Sequence, residues 1–473
     1  MPLSVIRKAV GSQRRLARVL WERLDSRLEA VDYCGQPLAG RRAVVVGAGP
    51  VGLRCALELR LLGAEVVVLE RRVGIERINR LHLWPWCGED LKGWGAKVLE
   101  PPELSFGADP DFLHIGIAEL QMLLLKPCLL LGVQVYFGTE FVGSAPSAPS
   151  SRPGRSGWDV VLREAKIAGQ TAPGPKPPAR LCSVSVLVGA DGPHSVVASH
   201  HAFEMTQTSS LRKEAALGLV ANYANRQTSL DKGRRQFSLG GQFYAQLFKD
   251  CETQTGLALE NIVCYICPQT HYFVMTPNLR SLKALGIIKS SEGGVLEGLD
   301  QERLAAVVKS VCAFPWRPED PPLSEETLEA PVGPPSLFDF SKTRRAQVGL
   351  KVVKAPDADA TGMLVGLCGD ALIEPFWPEG LGIARGFFAA LDLVSAAKVW
   401  AEEGNDGQAA ESHFESAFSQ LKSLAAKTRT QVLRPDERAY GLDPATRYRF
   451  SGGSAAFRGR QRANSVPAAS RRS

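Results

Sequence analysis

Short runs of apolar, β-branched residues alternate along the chain with segments whose apolar positions recur at helical spacing. Strands that alternate with helices in this way are typical of an α/β fold built around a parallel sheet. The pattern predicts strands at Ala43–Val46, Val66–Leu69, Ser185–Val188 and Met363–Leu367, and helices at Pro50–Leu62 and Arg385–Trp400.

Four segments interrupt this pattern. Ser144–Ser156 and the stretch 171–180 are dense in proline, and Phe314–Pro335 is proline-rich as well. Proline and serine at the density of the first two segments cannot build a core, so we expect those two to form hairpin arms or surface loops. The tail after Gly452 carries arginines and no acid, and we predict that it is disordered.

A glycine pattern follows the first predicted strand and opens the first predicted helix. In Gly47, Gly49 and Gly52 the first glycine suits a tight turn, the second lets the backbone approach a pyrophosphate, and the third lets helix pack on strand. The helix N-terminus then offers free N–H groups to phosphates. Glu70 ends the second predicted strand, where an acid can accept hydrogen bonds from ribose hydroxyls. These features together predict a dinucleotide site.

Two later segments favour FAD as that dinucleotide. Val186–Gly192 is a strand that runs into an acid–glycine turn, and Leu364–Asp370 is another that ends in Gly369-Asp370. Asp370 can bond a ribityl hydroxyl. The helix that begins near Gly382 directs its positive end at the negative charge of a reduced isoalloxazine. The order of these elements resembles the FAD fingerprints of flavoprotein hydroxylases.

Composition limits the kinds of protein to which the chain can belong. Hydrophobic residues make up 45% and charged residues 22% of the 473 residues, which excludes wholesale disorder. The net charge of +7 favours acidic partners without demanding nucleic acid, and we expect none. Ten cysteines are too sparse for a disulfide scaffold and fit a reducing compartment. The only close pair is Cys264 and Cys267, and no second pair follows at zinc-ligand spacing, so we expect core cysteines and no metal.

The chain contains no obvious membrane span. The most apolar stretch, Leu120–Phe137, is broken by Lys126 and Pro127 and is too interrupted to cross a bilayer. The first twenty-one residues are basic, which also suits a transit peptide. Because the helical pattern continues through Trp21–Asp25, we favour a surface helix that leads into the fold.

Several short sequence blocks are more specific than the fold, and they include Leu81–Pro85, Glu260–Val263, Thr270–Thr276, Glu374–Pro378 and Tyr440–Tyr448. They resemble the monooxygenase domain of the MICAL proteins, a family of FAD enzymes that oxidise actin. The resemblance runs from about residue 18 to about residue 448. We therefore expect a catalytic domain alone, without the calponin-homology, LIM and coiled-coil regions that the family usually has.

The resemblance also implies the residues of the site. Arg72 and Arg77 would pair with pyrophosphate oxygens, and Phe141 would shelter the adenine. Asn79, near the flavin, and Trp377, beside it, are the candidate catalytic residues. The implied FAD contacts are Gly47, Gly49, Val51, Gly52, Glu70, Arg71, Arg72, Arg77, Ile78, Asn79, Phe141, Tyr272 and Asp370.

What the family does gives the expected function. An NADPH-dependent FAD monooxygenase would use O2 to convert protein methionine to methionine sulfoxide, most obviously on F-actin, and would promote filament disassembly. Without a bound target it would release H2O2. Such an enzyme would be cytoplasmic and associated with the cytoskeleton.

The expected fold is an FAD-binding Rossmann-like domain of the flavoprotein hydroxylase type, with an inserted mixed-sheet substrate domain and C-terminal helices. The predicted division is a helical lead-in at 1–40, an FAD-binding domain at 41–205 and 345–400, a β-rich insertion at 206–344, a helical segment at 401–450 and a basic tail at 451–473.

Some positions depart from the family pattern. Glu379 stands where the family typically has an apolar residue, and Leu381 stands where it has threonine. A carboxylate beside a flavin that becomes anionic would oppose its reduction unless it faces solvent. The segment Pro193–Thr208 has no clear counterpart. Its adjacent His200 and His201 would point apart, so we predict a solvated loop without a metal.

Two other functions stay open at this point. A small-molecule aromatic hydroxylase would share the fold but would need a buried substrate pocket. A catalytically impaired flavoprotein scaffold would bind FAD, or have lost it, without turning over because of the changes at Glu379 and Leu381. Oxidation of NADPH that F-actin accelerates would favour the methionine monooxygenase over both.

Overall fold

The computed structural model describes residues 2–10, 15–77, 79–97, 113–147, 157–166, 176–207, 217–267, 269–289, 298–341, 343–354, 361–375 and 380–450. The chain divides into two compact units. The first comprises Met1–Leu99, Ile115–Thr206 and Arg344–Ser473, and the second comprises Glu100–His114 and Gln207–Thr343.

Strands and helices are numbered in chain order. The described strands are β1 (Arg42–Val46), β2 (Glu65–Glu70), β3 (Arg80–Leu83), β4 (Leu113–Gly116), β5 (Gln134–Phe137), β6 (Thr139–Pro146), β7 (Trp158–Glu164), β8 (Arg180–Leu181), β9 (Val184–Gly189), β10 (Met205–Gln207), β11 (Leu217–Ala224), β12 (Phe237–Gly240), β13 (Leu259–Ile266), β14 (Thr270–Pro277), β15 (Ser336–Asp339), β16 (Arg344–Ala346), β17 (Leu350–Val353) and β18 (Met363–Leu367). The described helices are α1 (Pro2–Val10), α2 (Arg15–Leu28), α3 (Pro50–Leu61), α4 (Pro85–Gly93), α5 (Ile117–Leu130), α6 (Val196–His200), α7 (Ser229–Gly233), α8 (Ala245–Thr255), α9 (Leu279–Ala284), α10 (Gln301–Ala313), α11 (Glu325–Leu328), α12 (Gly382–Glu402), α13 (Gly407–Ser423), α14 (Arg429–Val432) and α15 (Pro444–Arg447).

The first unit is built on a six-stranded sheet with the strand order β17-β18-β9-β1-β2-β5. Every neighbouring pair is parallel except β17 and β18, which are antiparallel. Residues of β9 are buried throughout and those of β1 are buried from Ala43 onward, as expected for β-branched strands covered on both faces. The four predicted strands and two predicted helices are confirmed. The predicted helix at Arg385–Trp400 begins earlier, at Gly382.

Buried charges hold α3 in place. The Arg54 guanidinium donates two hydrogen bonds to Asp90 of α4, from Nε at 2.8 Å and from a terminal nitrogen at 3.0 Å. It also pairs with Glu58 one turn along its own helix. Arg27 of α2 donates to the same Asp90 at 2.8 Å. A bidentate guanidinium–carboxylate pair has a defined geometry, so α2, α3 and α4 are fixed relative to one another.

The C-terminal segment is fastened to α12. Asp392 is fully buried on that helix; it accepts a hydrogen bond from the Tyr448 hydroxyl at 2.6 Å and pairs with the buried Arg447 guanidinium. Arg447 also donates to the Leu442 carbonyl at 2.8 Å. These bonds satisfy a carboxylate that would otherwise be costly to bury. Helix α12 packs further against α3 and α13.

The second unit is built on a five-stranded antiparallel sheet with the order β12-β13-β14-β11-β15. Helices α8 to α11 supply the other side of its core, where Leu304, Val308 and Trp316 are buried together with Phe273 and Met275 of β14. A buried pair links two elements of this unit, because Nε2 of His271 lies 3.1 Å from Oδ1 of Asp231.

The structure describes part of the interrupting segments. Strand β6 continues to Pro146 and pairs antiparallel with β7, so the first residues of Ser144–Ser156 form a hairpin arm, which is one of the two predicted forms. Residues 148–156 and the tail 451–473 lie outside the described residues. Among the described helices, none has the length and apolar character needed to cross a membrane.

Candidate functional site

The predicted acidic and glycine turns share one edge of the six-stranded sheet. Strands β1, β2, β9 and β18 are parallel, so their carboxyl ends lie on the same side. Gly47 follows β1, Glu70 ends β2, and Asp191 follows β9. Asp370 comes shortly after β18, in a 3-10 turn at Gly369–Ala371. Ligands of open α/β sheets bind in the crevice outside these strand ends.

The three motif glycines meet different surroundings. Gly47 has φ +106°, and a Cβ there would lie 2.3 Å from the Ala190 carbonyl oxygen. A Cβ on Gly52 would lie 2.0 Å from the Gly47 carbonyl oxygen, so only glycine lets α3 approach β1 so closely. A Cβ on Gly49 would meet no atom of the described residues within 4 Å. Gly49 therefore faces open space, at the position predicted to approach a pyrophosphate.

The N-terminus of α3 is exposed to the same space. Its N-cap is Gly49, which has no side chain to cap the first N–H groups, and Pro50 occupies the first helical position. The positive end of the 12-residue helix therefore keeps unsatisfied donors for an anion.

Glu70 shapes the glycine loop from the neighbouring strand. One carboxylate oxygen accepts the Ala48 N–H at 3.0 Å, and the other accepts the Arg72 N–H at 2.9 Å. The residue is 7% exposed. A carboxylate offers about four lone-pair sites, so capacity is left for ribose hydroxyls. Arg72 lies close to the same carboxylate, with its guanidinium 3.9 Å away.

Val51 joins three parts of the site. Its side chain lies beside Gly369 and Gly386, where added Cβ atoms would approach it to 3.2 Å and 2.4 Å. The first turn of α3 therefore packs against both the Asp370 turn and α12. Glycine at 369 and 386 makes this close packing possible.

Asp370 is in an unusual electrostatic position. Burial raises the pKa of its carboxyl to about 6, while Arg77 lowers it and Glu374 raises it. Glu374 is itself held by Arg344, whose Nε lies 3.0 Å from one of its carboxylate oxygens. Arg344 also donates to the Pro193 carbonyl at 2.5 Å, which ties this turn to the one after β9.

Helix α12 begins beside this turn without a side-chain cap, since its N-cap residue is Leu381. Leu381 is fully buried, so the residue that replaces the family's threonine contributes packing rather than a hydroxyl. His82 of β3 lies against Gly380, and burial lowers the pKa of its imidazole to about 4. Trp377 and Glu379 lie outside the described residues.

The remaining predicted contacts occupy several places. Arg71, Arg72 and Arg77 are exposed, and the half-buried Asn79 accepts a hydrogen bond on its carbonyl from the Ile117 N–H at 2.9 Å. Ile78 lies outside the described residues. Residue Phe141 is buried on β6, 5% exposed, with its ring edge-to-face against His200. Tyr272 is buried in β14 of the second unit and stacks on Tyr265.

The prediction of a solvated loop at Pro193–Thr208 was wrong. The segment contains α6, which begins where the Asp191 carboxylate accepts the Val196 N–H at 2.7 Å. The prediction that the adjacent histidines point apart was also wrong. The Nε2 atoms of His200 and His201 lie 3.2 Å and 3.3 Å from the Ser144 hydroxyl oxygen, because His201 is the helix C-cap and bends back toward β6. No group of three or more metal ligands occurs among the described residues.

Sequence reasoning missed Gln121. This glutamine lies on α5 within an apolar run, and its amide donates to the Ala48 carbonyl at 3.0 Å. Its own side-chain oxygen is buried without a hydrogen-bond partner in the described part of the chain. In the sequence Gln121 is a single polar residue within an apolar run, and this pattern alone does not indicate a role.

The described residues fit a flavin dinucleotide. Gly49 leaves room for a pyrophosphate at the uncapped end of α3. Asp191 has a buried carboxylate oxygen with no partner in the part of the chain that the structure describes, and burial raises the pKa of this group. An acceptor of that kind is costly unless a donor completes it, and a cofactor hydroxyl would do so.

A family model described as "Mical, Rossman domain" matches residues 215–314. This range lies in the second unit and covers strands β11 to β14 of its antiparallel sheet but not β15, and the glycine motif at Gly47–Gly52 also lies outside it. The match therefore supports the family without locating the dinucleotide motif.

Known proteins resemble most of the chain. F-actin monooxygenase MICAL1 of Mus musculus is 37% identical over 443 residues, which cover 91% of this chain and 39% of that protein. The protein-methionine sulfoxide oxidase mical3a of Danio rerio is 33% identical over 91% of this chain and 21% of its own length. The chain thus spans well under half the length of these relatives.

A similar fold is found among solved structures. The aklavinone-11 hydroxylase in a ternary complex with FAD and aklavinone has a TM-score of 0.52 and 16% identity, covering 83% of this chain and 69% of that one. At this level of identity the likeness shows the fold, which is that of flavoprotein hydroxylases, and the predicted fold class is confirmed.

Proposed function

Over most of its length the chain is a member of the MICAL family, and on that premise we propose that it is an NADPH-dependent FAD monooxygenase of protein methionine. The reaction would consume methionine, O2, NADPH and a proton, and would yield methionine sulfoxide, NADP+ and water. F-actin is the proposed substrate, and its oxidation would promote filament disassembly. In the absence of substrate, O2 would be reduced to H2O2.

The observation that carries this proposal is the convergence of the glycine loop, Glu70, Asp191 and Asp370 on one edge of a parallel sheet. Bound FAD would supply oxygen activation, which side chains cannot provide. The N–H groups at the start of α3 would bind the pyrophosphate, with Arg72 and Arg77 as cationic partners. Glu70 would accept ribose hydroxyls, and Asp370 would accept a ribityl hydroxyl.

The other residues proposed for the site act on the flavin side. The uncapped N-terminus of α12 would stabilise negative charge on the reduced ring system. Asn79 and Trp377 would orient the ring or the incoming sulfur, and Phe141 and Tyr272 would contact the cofactor. Leu381 is aliphatic and fully buried, so it adds neither charge nor a hydroxyl to the start of α12.

A protein substrate is supported by the functions of the relatives, an F-actin monooxygenase and a protein-methionine sulfoxide oxidase. Conversion to the sulfoxide makes an apolar side chain polar, and reductases can reverse it. The net charge of +7 would favour an acidic partner such as an actin filament. We place such an enzyme in the cytoplasm, at the cytoskeleton.

The test is an anaerobic titration of FAD-loaded protein with NADPH, followed by admission of air with and without F-actin. We expect flavin bleaching, reoxidation by O2, faster NADPH consumption with F-actin, and sulfoxide on actin methionines by mass spectrometry. Acceleration by phenols but not by F-actin would instead support a small-molecule hydroxylase. A flavin-loaded protein that never oxidises NADPH would support an impaired scaffold.

Variants separate the proposed catalytic residues from general damage. Trp377→Phe and Asn79→Ala should lower actin oxidation by about tenfold or more while FAD stays bound, because they act beside the ring rather than at the phosphates. Trp158→Phe is the matched control. That tryptophan lies on β7 of a separate three-stranded sheet, where its indole N–H donates to Lys354. If Trp377→Phe and Asn79→Ala oxidised actin as fast as the control Trp158→Phe, the catalytic roles proposed for Trp377 and Asn79 would be contradicted.

A further inference from the structure

The peptide at Ala48, inside the glycine loop, is held from both sides. Its N–H donates to Glu70 and its carbonyl oxygen accepts the side-chain amide of Gln121, each at 3.0 Å. Gln121 comes from α5, which packs against α3. It is 8% exposed, so this contact is shielded from water. Two fixed hydrogen bonds set the orientation of the peptide that precedes Gly49.

This contact decides which way the Gln121 amide points. The Ala48 carbonyl can only accept, so the amide nitrogen must face it and the amide cannot be flipped without losing the bond. The side-chain oxygen, Oε1, is therefore directed elsewhere. It is closed to solvent and has no hydrogen-bond partner in the part of the chain that the structure describes.

The surroundings of Gln121 offer no other purpose for a buried amide. Its helix neighbours Leu120 and Leu124 are fully buried, and Ile117 is 3% exposed. An apolar side chain of similar length would fill the same space and would avoid the unsatisfied Oε1, at the cost of the hydrogen bond to the Ala48 carbonyl. A buried acceptor without a donor is disfavoured, and native proteins usually satisfy such groups. The missing donor must reach a position beside the glycine loop.

We propose that Gln121 is a further cofactor-binding residue, whose amide nitrogen orients the Ala48 peptide and whose Oε1 accepts a hydrogen bond from a hydroxyl of the bound dinucleotide. The inference rests on the proposed function only in taking that dinucleotide to be FAD. Ionised pyrophosphate oxygens are acceptors, so they cannot supply the donor. The hydroxyls on either side of a pyrophosphate, on the ribose and on the ribitol, can.

The test compares Gln121→Met with wild type in two measurements on apo-protein. Urea unfolding should give apo-protein within about 1 kcal/mol of wild type, because the variant removes the unsatisfied Oε1 but leaves the Ala48 carbonyl without its donor. Titration of flavin fluorescence should show FAD binding weakened at least about tenfold, which corresponds to about 1.4 kcal/mol. Gln134→Met is the matched control, since Gln134 is exposed on β5 and should change neither quantity.

Competition with FMN and with ADP then assigns the hydroxyl. Weaker binding of FMN alone by the variant identifies the ribitol, and weaker binding of ADP alone identifies the adenosine ribose. Unchanged FAD affinity, with or without a loss of apo stability, overturns the proposal because Gln121 would then be structural. Wild-type protein that binds FAD but does not oxidise NADPH would refute the proposed function and leave this inference standing. Wild-type protein that cannot bind FAD would refute both.

Discussion

At the scale of single residues, two glycines of one motif are required for different reasons. A Cβ at Gly52 would lie 2.0 Å from a backbone oxygen, whereas a Cβ at Gly49 would meet open space. The backbone at Gly49 has φ −64° and ψ 169°, which alanine adopts readily. Gly52 is therefore needed by the fold, and Gly49 is needed only by a ligand.

This difference predicts opposite behaviour for two alanine variants. Gly52→Ala should destabilise the apo-protein by roughly 3 kcal/mol, because a backbone carbonyl cannot move aside cheaply. Gly49→Ala should change apo stability by less than about 0.5 kcal/mol and weaken FAD binding by at least about tenfold. Urea unfolding and flavin titration measure the two effects. Normal FAD affinity of Gly49→Ala would show that no pyrophosphate lies against this loop.

Asp370 provides a second prediction at this scale, in the apo-protein. Burial raises the pKa of its carboxyl to about 6 from 3.8. The folded state therefore holds a proton that the unfolded state releases, so stability is greatest below the unfolded value and falls as pH rises through about 6. A two-unit shift corresponds to about 3 kcal/mol, and partial solvent screening reduces it to about 2 kcal/mol.

Asp370→Asn should abolish this part of the pH dependence. Compared with wild type, the variant should be more stable at about pH 7.5 by about 2 kcal/mol and similar at about pH 4. Urea unfolding across this range measures the difference, with Asp406→Asn as a control at a helix cap far along the chain. Parallel curves for wild type and Asp370→Asn would mean that the Asp370 carboxyl is not desolvated.

Residue roles that follow from spacing could be predicted, whereas those that follow from tertiary contacts could not. The spacing of Gly47, Gly49 and Gly52 predicted three roles. The structure shows the turn at Gly47 and the close packing at Gly52, whereas the approach of a pyrophosphate to Gly49 stays a prediction. Gln121 reaches the loop from a helix far along the chain, and no local pattern announces such a contact. Arg344 likewise joins two turns through Glu374 and Pro193, which only the folded sheet brings together.

At the scale of elements, the strands of the six-stranded sheet could be predicted from apolar, β-branched runs, because a parallel sheet that is covered on both faces needs continuous apolar strands. The same pattern did not predict helix α6. Its sequence is short and follows a proline, and its start depends on the Asp191 carboxylate and the Ser195 hydroxyl accepting backbone N–H groups. Capping of this kind satisfies the orphan donors that otherwise disfavour a helix of one turn. Asp191 and Ser195 are present in the sequence, but only the fold shows that they cap a helix, and the segment was therefore predicted as a loop.

The junction between α12 and the C-terminal segment predicts a large stability effect. Arg447→Met leaves the buried Asp392 carboxylate with only the Tyr448 hydroxyl, so we expect a loss of about 3–5 kcal/mol. The double variant Arg447→Met with Asp392→Leu removes both charges and should recover much of that loss. Arg434→Met, at an exposed arginine of the same segment, is the control. Losses that simply add in the double variant would mean that the two groups do not interact.

At the scale of the whole molecule, the distribution of thiols reports on the integrity of both units. All ten cysteines are reduced thiols; eight are buried, and Cys34 and Cys182 are exposed. Burial raises the pKa of the Cys251 thiol to about 11 and that of Cys264 to about 12, so little thiolate forms near neutral pH. Because the thiolate is the reactive species, buried cysteines should be inert while the fold is intact.

A chromogenic thiol reagent should therefore label two cysteines quickly in native protein and the other eight only when urea unfolds the chain. The variant Cys34→Ser with Cys182→Ser should lose the fast phase entirely and keep the slow one. Because the buried thiols lie in both units, their release measures unfolding of each, and mass spectrometry of labelled peptides shows which unit opens first. A third fast thiol in the native protein would locate a part of the core that is open to solvent, and would contradict the burial found here.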